Sequence, residues 1–233
     1  MIKILCTLAL LLSTTALAEE TVEVDKDRLV KVYGAINKNI LKQAKELMAL
    51  SKDSSDDIYI HINSGGGSIR AGKVFITAME IAQARGVEIH CVSTLLAASM
   101  AFTILAECDH RYVLKSTELL YHQARVLVMF AALSSRQLEG LYQNLRGLDE
   151  ELLKFLYAET GIDPYLLSQT YYAEKLWTAT DLNTKTTKGW LTIVDNIEGL
   201  DDVFAHEAEV TQSPKSVQHY THEMEEHGYV IIQ

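Results

Sequence analysis

From about residue 28 onward, short runs rich in β-formers alternate with stretches whose apolar residues recur at helical spacing, and this alternation restricts the fold more than any other feature. Each kind of element has a face to bury, so the economical solution is helices laid on a sheet, an α/β layer structure. Residues 28–33 read as a strand that ends at Gly34. Over 39–51, Ile40, Leu41, Ala44, Leu47 and Met48 line one helical face. Residues 57–62 alternate and are rich in β-formers, which predicts a strand that stops at Asn63-Ser64-Gly65-Gly66-Gly67-Ser68. A helix over 69–85, a strand over 87–93, a helix starting near Ala98, and short strands over 110–114 and 118–122 complete the pattern.

The first eighteen residues stand apart from it. Lys3, a mainly apolar run over 4–12, a polar Ser13-Thr14-Thr15 and then Ala16-Leu17-Ala18 read as a secretory signal peptide cleaved before Glu19. The apolar run is too short for a membrane anchor, which takes roughly 20 residues. The expected mature chain carries no stable membrane span and is exported, to the periplasm or the extracellular space. Only Cys91 and Cys108 then remain. They have the option of pairing, but both sit in apolar contexts, and the expectation is two buried free thiols. With 31 acidic against 21 basic residues and a net charge of −10, a nucleic-acid partner is not expected.

A different kind of segment begins at Ser134, where Ser134 and Gln137 match a capping box. Leu138, Leu141, Leu145, Leu148, Leu152 and Phe155 follow at intervals of three and four, an apolar stripe that fits either the chain's own core or another subunit. The apolar octet over 126–133 needs a cover, and an oligomer interface is the economical one. Beyond about residue 205 the composition turns acidic, with four of the eight histidines, and reads as a weakly ordered tail. His219 and His222 there read as part of a solvated tail rather than a metal pair. Trp177 and Trp190 read as core or subunit-contact residues.

Three features carry chemistry. Gly65-Gly66-Gly67 after a strand lets backbone N–H groups approach an anionic oxygen closely. It lacks the spacing of dinucleotide-binding and phosphate-binding loops, which disfavours nucleotides. Ser99, in Ala97-Ala98-Ser99-Met100, follows a strand and opens a helix, where the dipole favours negative charge. His122, in Tyr121-His122-Gln123, ends a strand in an apolar run, where an imidazole needs a partner.

In this order, over about residues 28–182, these motifs resemble the Clp-type serine peptidase family. The resemblance implies the spiral of β-β-α units shared with crotonases, with a handle helix over about 134–160 projecting from a peptidase domain spanning 19–204, followed by the tail at 205–233. It also implies Ser99 as nucleophile, His122 as base, and the backbone N–H groups of Gly67 and Met100 as the oxyanion hole. Counting on from Thr160-Gly161 puts the family's catalytic aspartate at Glu174, one methylene longer, with Asp181 in reserve. A glutamate can orient an imidazole as an aspartate does. No metal or cofactor is called for. Family members form heptameric rings and act on peptides or unfolded proteins, so a homo-oligomer is expected. Only residues 19–27 precede the first predicted strand, and an exported chain meets no ATP, so no ATPase unfoldase partner is expected. After His122-Gln123 the family's proline is Ala124, and the Gly-rich segment is replaced by the apolar octet. Two other readings compete: a Ser-Lys peptidase resembling the signal-peptide-peptidase group, with Lys115 or Lys175 as base, and a catalytically silent oligomeric scaffold of the same fold.

Overall fold

The computed structural model describes residues 20–127 and 132–200 and the backbone of 231–232. The signal segment 1–18, most of the tail at 205–233 and the centre of the apolar octet lie outside the described residues. In chain order the elements are β1 (Thr21–Glu23), a 3-10 turn (Lys26–Arg28), β2 (Leu29–Ile36), α1 (Ile40–Asp53), β3 (Ile58–Gly67), α2 (Ile69–Gln83), β4 (Ile89–Ala98) and α3 (Met100–Ala106). They continue with β5 (His110–Leu114), β6 (Glu118–Leu120), β7 (Val126–Leu127), α4 (Ser135–Thr160), α5 (Pro164–Ala173), β8 (Leu176–Thr178), α6 (Ala179–Asn183), β9 (Thr192–Val194), β10 (Asn196–Glu198) and β11 (Ile231–Ile232).

The central sheet runs β2-β3-β4-β5-β9, with β6 pairing β4 and β8. Every pair along it is parallel except β6–β8. Parallel strands need crossovers, and the helices that supply them cover one face. Ile58, Ile60 and Ile62 of β3 point into that layer and are fully buried, together with Phe75 and Met79 of α2 and Phe102 of α3. Each such side chain contributes about 1.5–3 kcal/mol by leaving water. The other face has its own small cluster of Val24, Val92, Val194 and Ile197, where β1 pairs in parallel with β10.

Several expectations are corrected here. The segment before β2 forms β1. Strands β2, β3 and β4 run past their predicted ends, through Gly34, Gly67 and Ala98, because pairing with neighbours overrides local preference, in β2 and β3 that of glycine for turns. A register shift between Tyr33 and Ala35 absorbs Gly34. Cys91 and Cys108 are a disulfide rather than two free thiols: Cys91 points into the helix layer, and the end of α3 brings Cys108 back beside it, with Cα atoms 5.9 Å apart. Trp177 and Trp190 are both buried in the core.

Helix α4 carries the capping box at Ser134 and Gln137, and closes on Gly161 in the left-handed conformation. A Cβ at Gly161 would run into Thr187, so the glycine is required for space as well as for φ. At about 1.5 Å per residue its 26 residues reach about 39 Å. Leu145, Leu148, Leu152 and Phe155 of the stripe pack onto the core, whereas Leu138 near the start of the helix is exposed. The apolar stripe is therefore split between a core-facing part and a projecting part. From the octet, Val126–Leu127 pairs antiparallel with Ile231–Ile232 from the end of the chain. Among the described residues, no helix is long and apolar enough to cross a membrane.

Candidate active site

Strand register brings the predicted residues to one end of the sheet. Ala98 pairs with Leu120, and Leu120 with Leu176. Ser99 lies one residue beyond the first, His122 two beyond the second, and Glu174 two before the third, because β8 runs antiparallel. All three therefore emerge where the parallel strands end, the position at which α/β sheets expose their loops.

Ser99 sits at the β4–α3 junction with φ +56°, outside the ranges a serine normally adopts. Its N–H donates to Leu120 O at 2.7 Å, which pins the junction beside the strand that leads to His122. The glycine turn presses against it: a Cβ on Gly66 would lie 2.5 Å from Ser99 Cβ and 3.0 Å from Met100 N, and Gly66 itself has φ +92°. Gly67, also at positive φ, has the Ile36 carbonyl in the way of any Cβ. Glycine is thus needed at Gly66 for the turn to approach the Ser99 junction and at Gly67 for it to approach β2. Ser64 holds the turn from below, its hydroxyl donating to Gly34 O at 2.6 Å and accepting from Gly66 N at 3.0 Å.

Beneath the turn lies a buried polar network that the sequence did not announce. His61 is fully buried, with Nδ1 2.5 Å from Tyr33 Oη and Nε2 3.0 Å from Thr94 Oγ1. Burial, with a smaller push from Lys31, lowers its pKa to about 4, so it is neutral. Asn63 Oδ1 accepts from Thr94 N and Leu95 N, tying β3 to β4 just before both strands reach the site.

His122 is half-buried and shares a cavity of about 20 Å³ with Ser99, Met100, Tyr121, Tyr171 and the handle residues Leu152 and Leu156. That volume admits about one water. The imidazole's Nδ1 is 2.7 Å from Gln123 O, so Nδ1 carries the proton and Nε2 keeps its lone pair. Burial lowers the His122 pKa, and the Arg125 cation adds to this; the Gln123 hydrogen bond and the carboxylates of Glu174 and Asp149 oppose it.

Glu174 occupies the left-handed cap of α5, and its carboxylate is paired with the Arg125 guanidinium. That pairing, first of all, holds its pKa below the usual carboxylate range. The tautomer of His122 is thus set by a backbone carbonyl, while Glu174 acts on the ring through its charge. The reserve residue Asp181 is exposed in the first turn of α6, where its N–H is capped by Thr178. Of the lysines considered, Lys175 lies over the Trp177 ring at 3.7 Å and Lys115 is exposed beyond β5; neither lines the Ser99 cavity.

One residue was missed altogether. Asp149 of α4 is buried, and its Oδ1 accepts from Ala124 N at 2.7 Å and from Tyr171 Oη at 2.8 Å. It anchors the segment after His122 to the handle. Its only signal in the sequence is a carboxylate one step from Leu148, on the flank of the apolar stripe.

Residues 15–185, well over half of the chain, match the model of a family described as Clp protease. The chain is similar to the ATP-dependent Clp protease proteolytic subunit of Ligilactobacillus salivarius, at 34% identity over 103 residues, which cover 42% of this chain and 50% of that protein. It is also similar to ATP-dependent Clp protease proteolytic subunit 2 of Bacillus licheniformis, at 29% identity over 140 residues, covering 58% of this chain and 70% of that one. The first alignment therefore spans only half of that relative's length.

Proposed function

The chain belongs to the Clp protease family, and from that premise we propose that it is a serine endopeptidase cleaving peptides or unfolded polypeptides. The observation that carries the proposal is the strained Ser99 junction, wedged between Gly66 and the His122 strand in a shared cavity. Ser99 Oγ attacks the substrate carbonyl carbon while Nε2 of His122 takes the hydroxyl proton. The carbonyl oxygen becomes an oxyanion held by the N–H groups of Gly67 and Met100, each worth about 3–4 kcal/mol to the transition state. His122 then gives the proton to the leaving amine, and a water deprotonated by the same imidazole releases the acyl-enzyme. Glu174 favours the imidazolium form as the third member of the triad, to the extent that Arg125 leaves its charge uncompensated.

In this reading the protein works in a homo-oligomer, with heptameric rings as the family resemblance implies and the exposed half of α4 reaching a neighbour. It acts without ATP and outside the cytoplasm. The Cys91–Cys108 disulfide supports an oxidising compartment, in keeping with the signal-like segment 1–18. The positions of Lys115 and Lys175 count against the Ser-Lys alternative.

A fluorophosphonate probe tests the proposal. Wild type is expected to be labelled, and Ser99→Ala and His122→Ala are not. An assembled, folded wild type that resists labelling would establish the silent scaffold instead.

A further inference from the structure

At the opposite end of the same strands, on the sheet face turned away from the helices, the register sets Tyr59, His90 and His110 side by side. The two imidazoles stack with centroids 4.4 Å apart and planes 25° from parallel, and the rings of Tyr59 and Tyr112 flank His90 at 5.1 and 5.9 Å. Glu88 immediately precedes β4, and its Oε2 lies 3.1 Å from His110 Nε2. One ligand atom from each of Glu88, His90 and His110 falls within 4.8 Å of the others. His90 Nε2 is shut off from solvent and makes no hydrogen bond; Asp57 Oδ2 stands 3.3 Å away, near enough for attraction but without hydrogen-bond geometry. The other nitrogen of that ring faces Tyr112 Oη at 3.4 Å, the arrangement in which an outer hydroxyl fixes the tautomer of a ligating imidazole.

We propose that Glu88, His90 and His110 form a binding site for a divalent transition-metal cation of the zinc type, with Asp57 beside it. Two neutral imidazoles and a carboxylate, with water in the remaining position, are a donor set that suits Zn²⁺. Mg²⁺ and Ca²⁺ prefer sites made of oxygen alone. Four zinc ligands stand closer together than 4.8 Å, so the site tightens on binding. The side chains of His110 and Glu88, 45% and 64% exposed, have the freedom to do this. His90, stacked among the aromatic rings, is the fixed member. The proposal is independent of any peptidase activity, because it places the metal at the far end of the sheet from Ser99.

Equilibrium dialysis of the full chain against Zn²⁺ tests it without a catalytic readout. His110→Ala and Glu88→Gln, both at exposed side chains, are expected to weaken one Zn²⁺ site at least tenfold, while millimolar Mg²⁺ leaves it unchanged. The double variant His219→Ala/His222→Ala controls for the tail and is expected to retain that site. Circular dichroism verifies that each variant is folded. Absence of Zn²⁺ binding by wild type, affinity unchanged in both His110→Ala and Glu88→Gln, or loss confined to the tail variant would each overturn the proposal.

Discussion

The two ends of the central sheet are made from the same strands and solve opposite problems. Where β3 and β4 finish, side chains give way to glycine, alanine and serine, and the backbone itself becomes the distinctive feature, with positive φ at Gly66, Gly67 and Ser99. Where β4 and β5 begin, the backbone is ordinary strand and the side chains dominate: His90 stacks with His110 and Tyr112, and Tyr59 of β3 lies tilted against it. At the strained end, Gly66 and Gly67 leave no room for added volume. A stacked end tolerates changes at its rim and resists them only at its centre.

The largest expected effect breaks the strained end. Gly66→Ala forces a Cβ to 2.5 Å from that of Ser99 at a φ of +92°. It should lower the rate of fluorophosphonate labelling about 100-fold, the scale of a 1 Å misplacement, and cost about 1–3 kcal/mol of stability through strain. Unchanged labelling would mean that the glycine turn is only a connection.

Between the two ends lies His61. With its folded pKa at about 4 and an ordinary value near 6.5, the unfolded chain takes up a proton below pH 6.5 that the folded chain refuses until about pH 4. Stability is therefore lost as pH falls through that window, by about 3 kcal/mol in total. Glu107 works with the opposite sign: burial and the neighbouring carboxylates of Glu159, Glu80 and Asp109 raise its pKa to about 7, which favours the folded state as pH falls. The comparison that isolates His61 is thus wild type against His61→Gln in denaturant titrations from pH 7 to pH 4. The variant should show the shallower loss, and parallel curves would remove His61 from the account.

The disulfide joins the beginning of β4 to the end of α3, and Cys91→Ser/Cys108→Ser should cost about 3 kcal/mol, the amount expected for a sequence separation of 17. Labelling by the still-folded variant should stay within a few-fold of wild type; a collapse of labelling at full folding would mean that the covalent tie positions Ser99. The smallest effect concerns Arg125. Arg125→Ala removes a cation that lowers the His122 pKa and releases Glu174. It should raise kcat/KM a few-fold and move the acidic limb of its pH profile to higher pH. A limb displaced to lower pH would contradict the electrostatic arrangement described here.

What the sequence revealed follows from how local each signal is. The strand over 110–114, the capping box of Ser134 and Gln137, and the junction at Ser99 are written in contiguous residues, and each was legible. The disulfide, the Glu88–His90–His110 cluster and the anchoring carboxylate of Asp149 each depend on strand order or helix docking. For those, sequence neighbours say little. The apolar setting of Cys91 and Cys108 suggested free thiols because a half-cystine in a core has the same neighbours as a thiol; only the return of α3 onto β4 distinguishes them. Strands β8, β9 and β10 have three residues each, too few to show a period of two; β6 is equally short and was legible only within the longer run 118–122. The orienting role of Glu174 was inferred by counting from Thr160-Gly161, which locates a backbone position but not the carboxylate's partner, and Arg125 is that partner.

The same cystine turns residues 91–108 into a covalent ring with Ser99 on its rim. A peptidase that cut a neighbouring copy within this ring would leave no free fragment: the chain would gain one water and migrate as an intact polypeptide until the sulfurs were reduced. Electrophoresis with and without reductant therefore reads out cleavage beside Ser99 that ordinary purity checks on an oxidised sample would pass over.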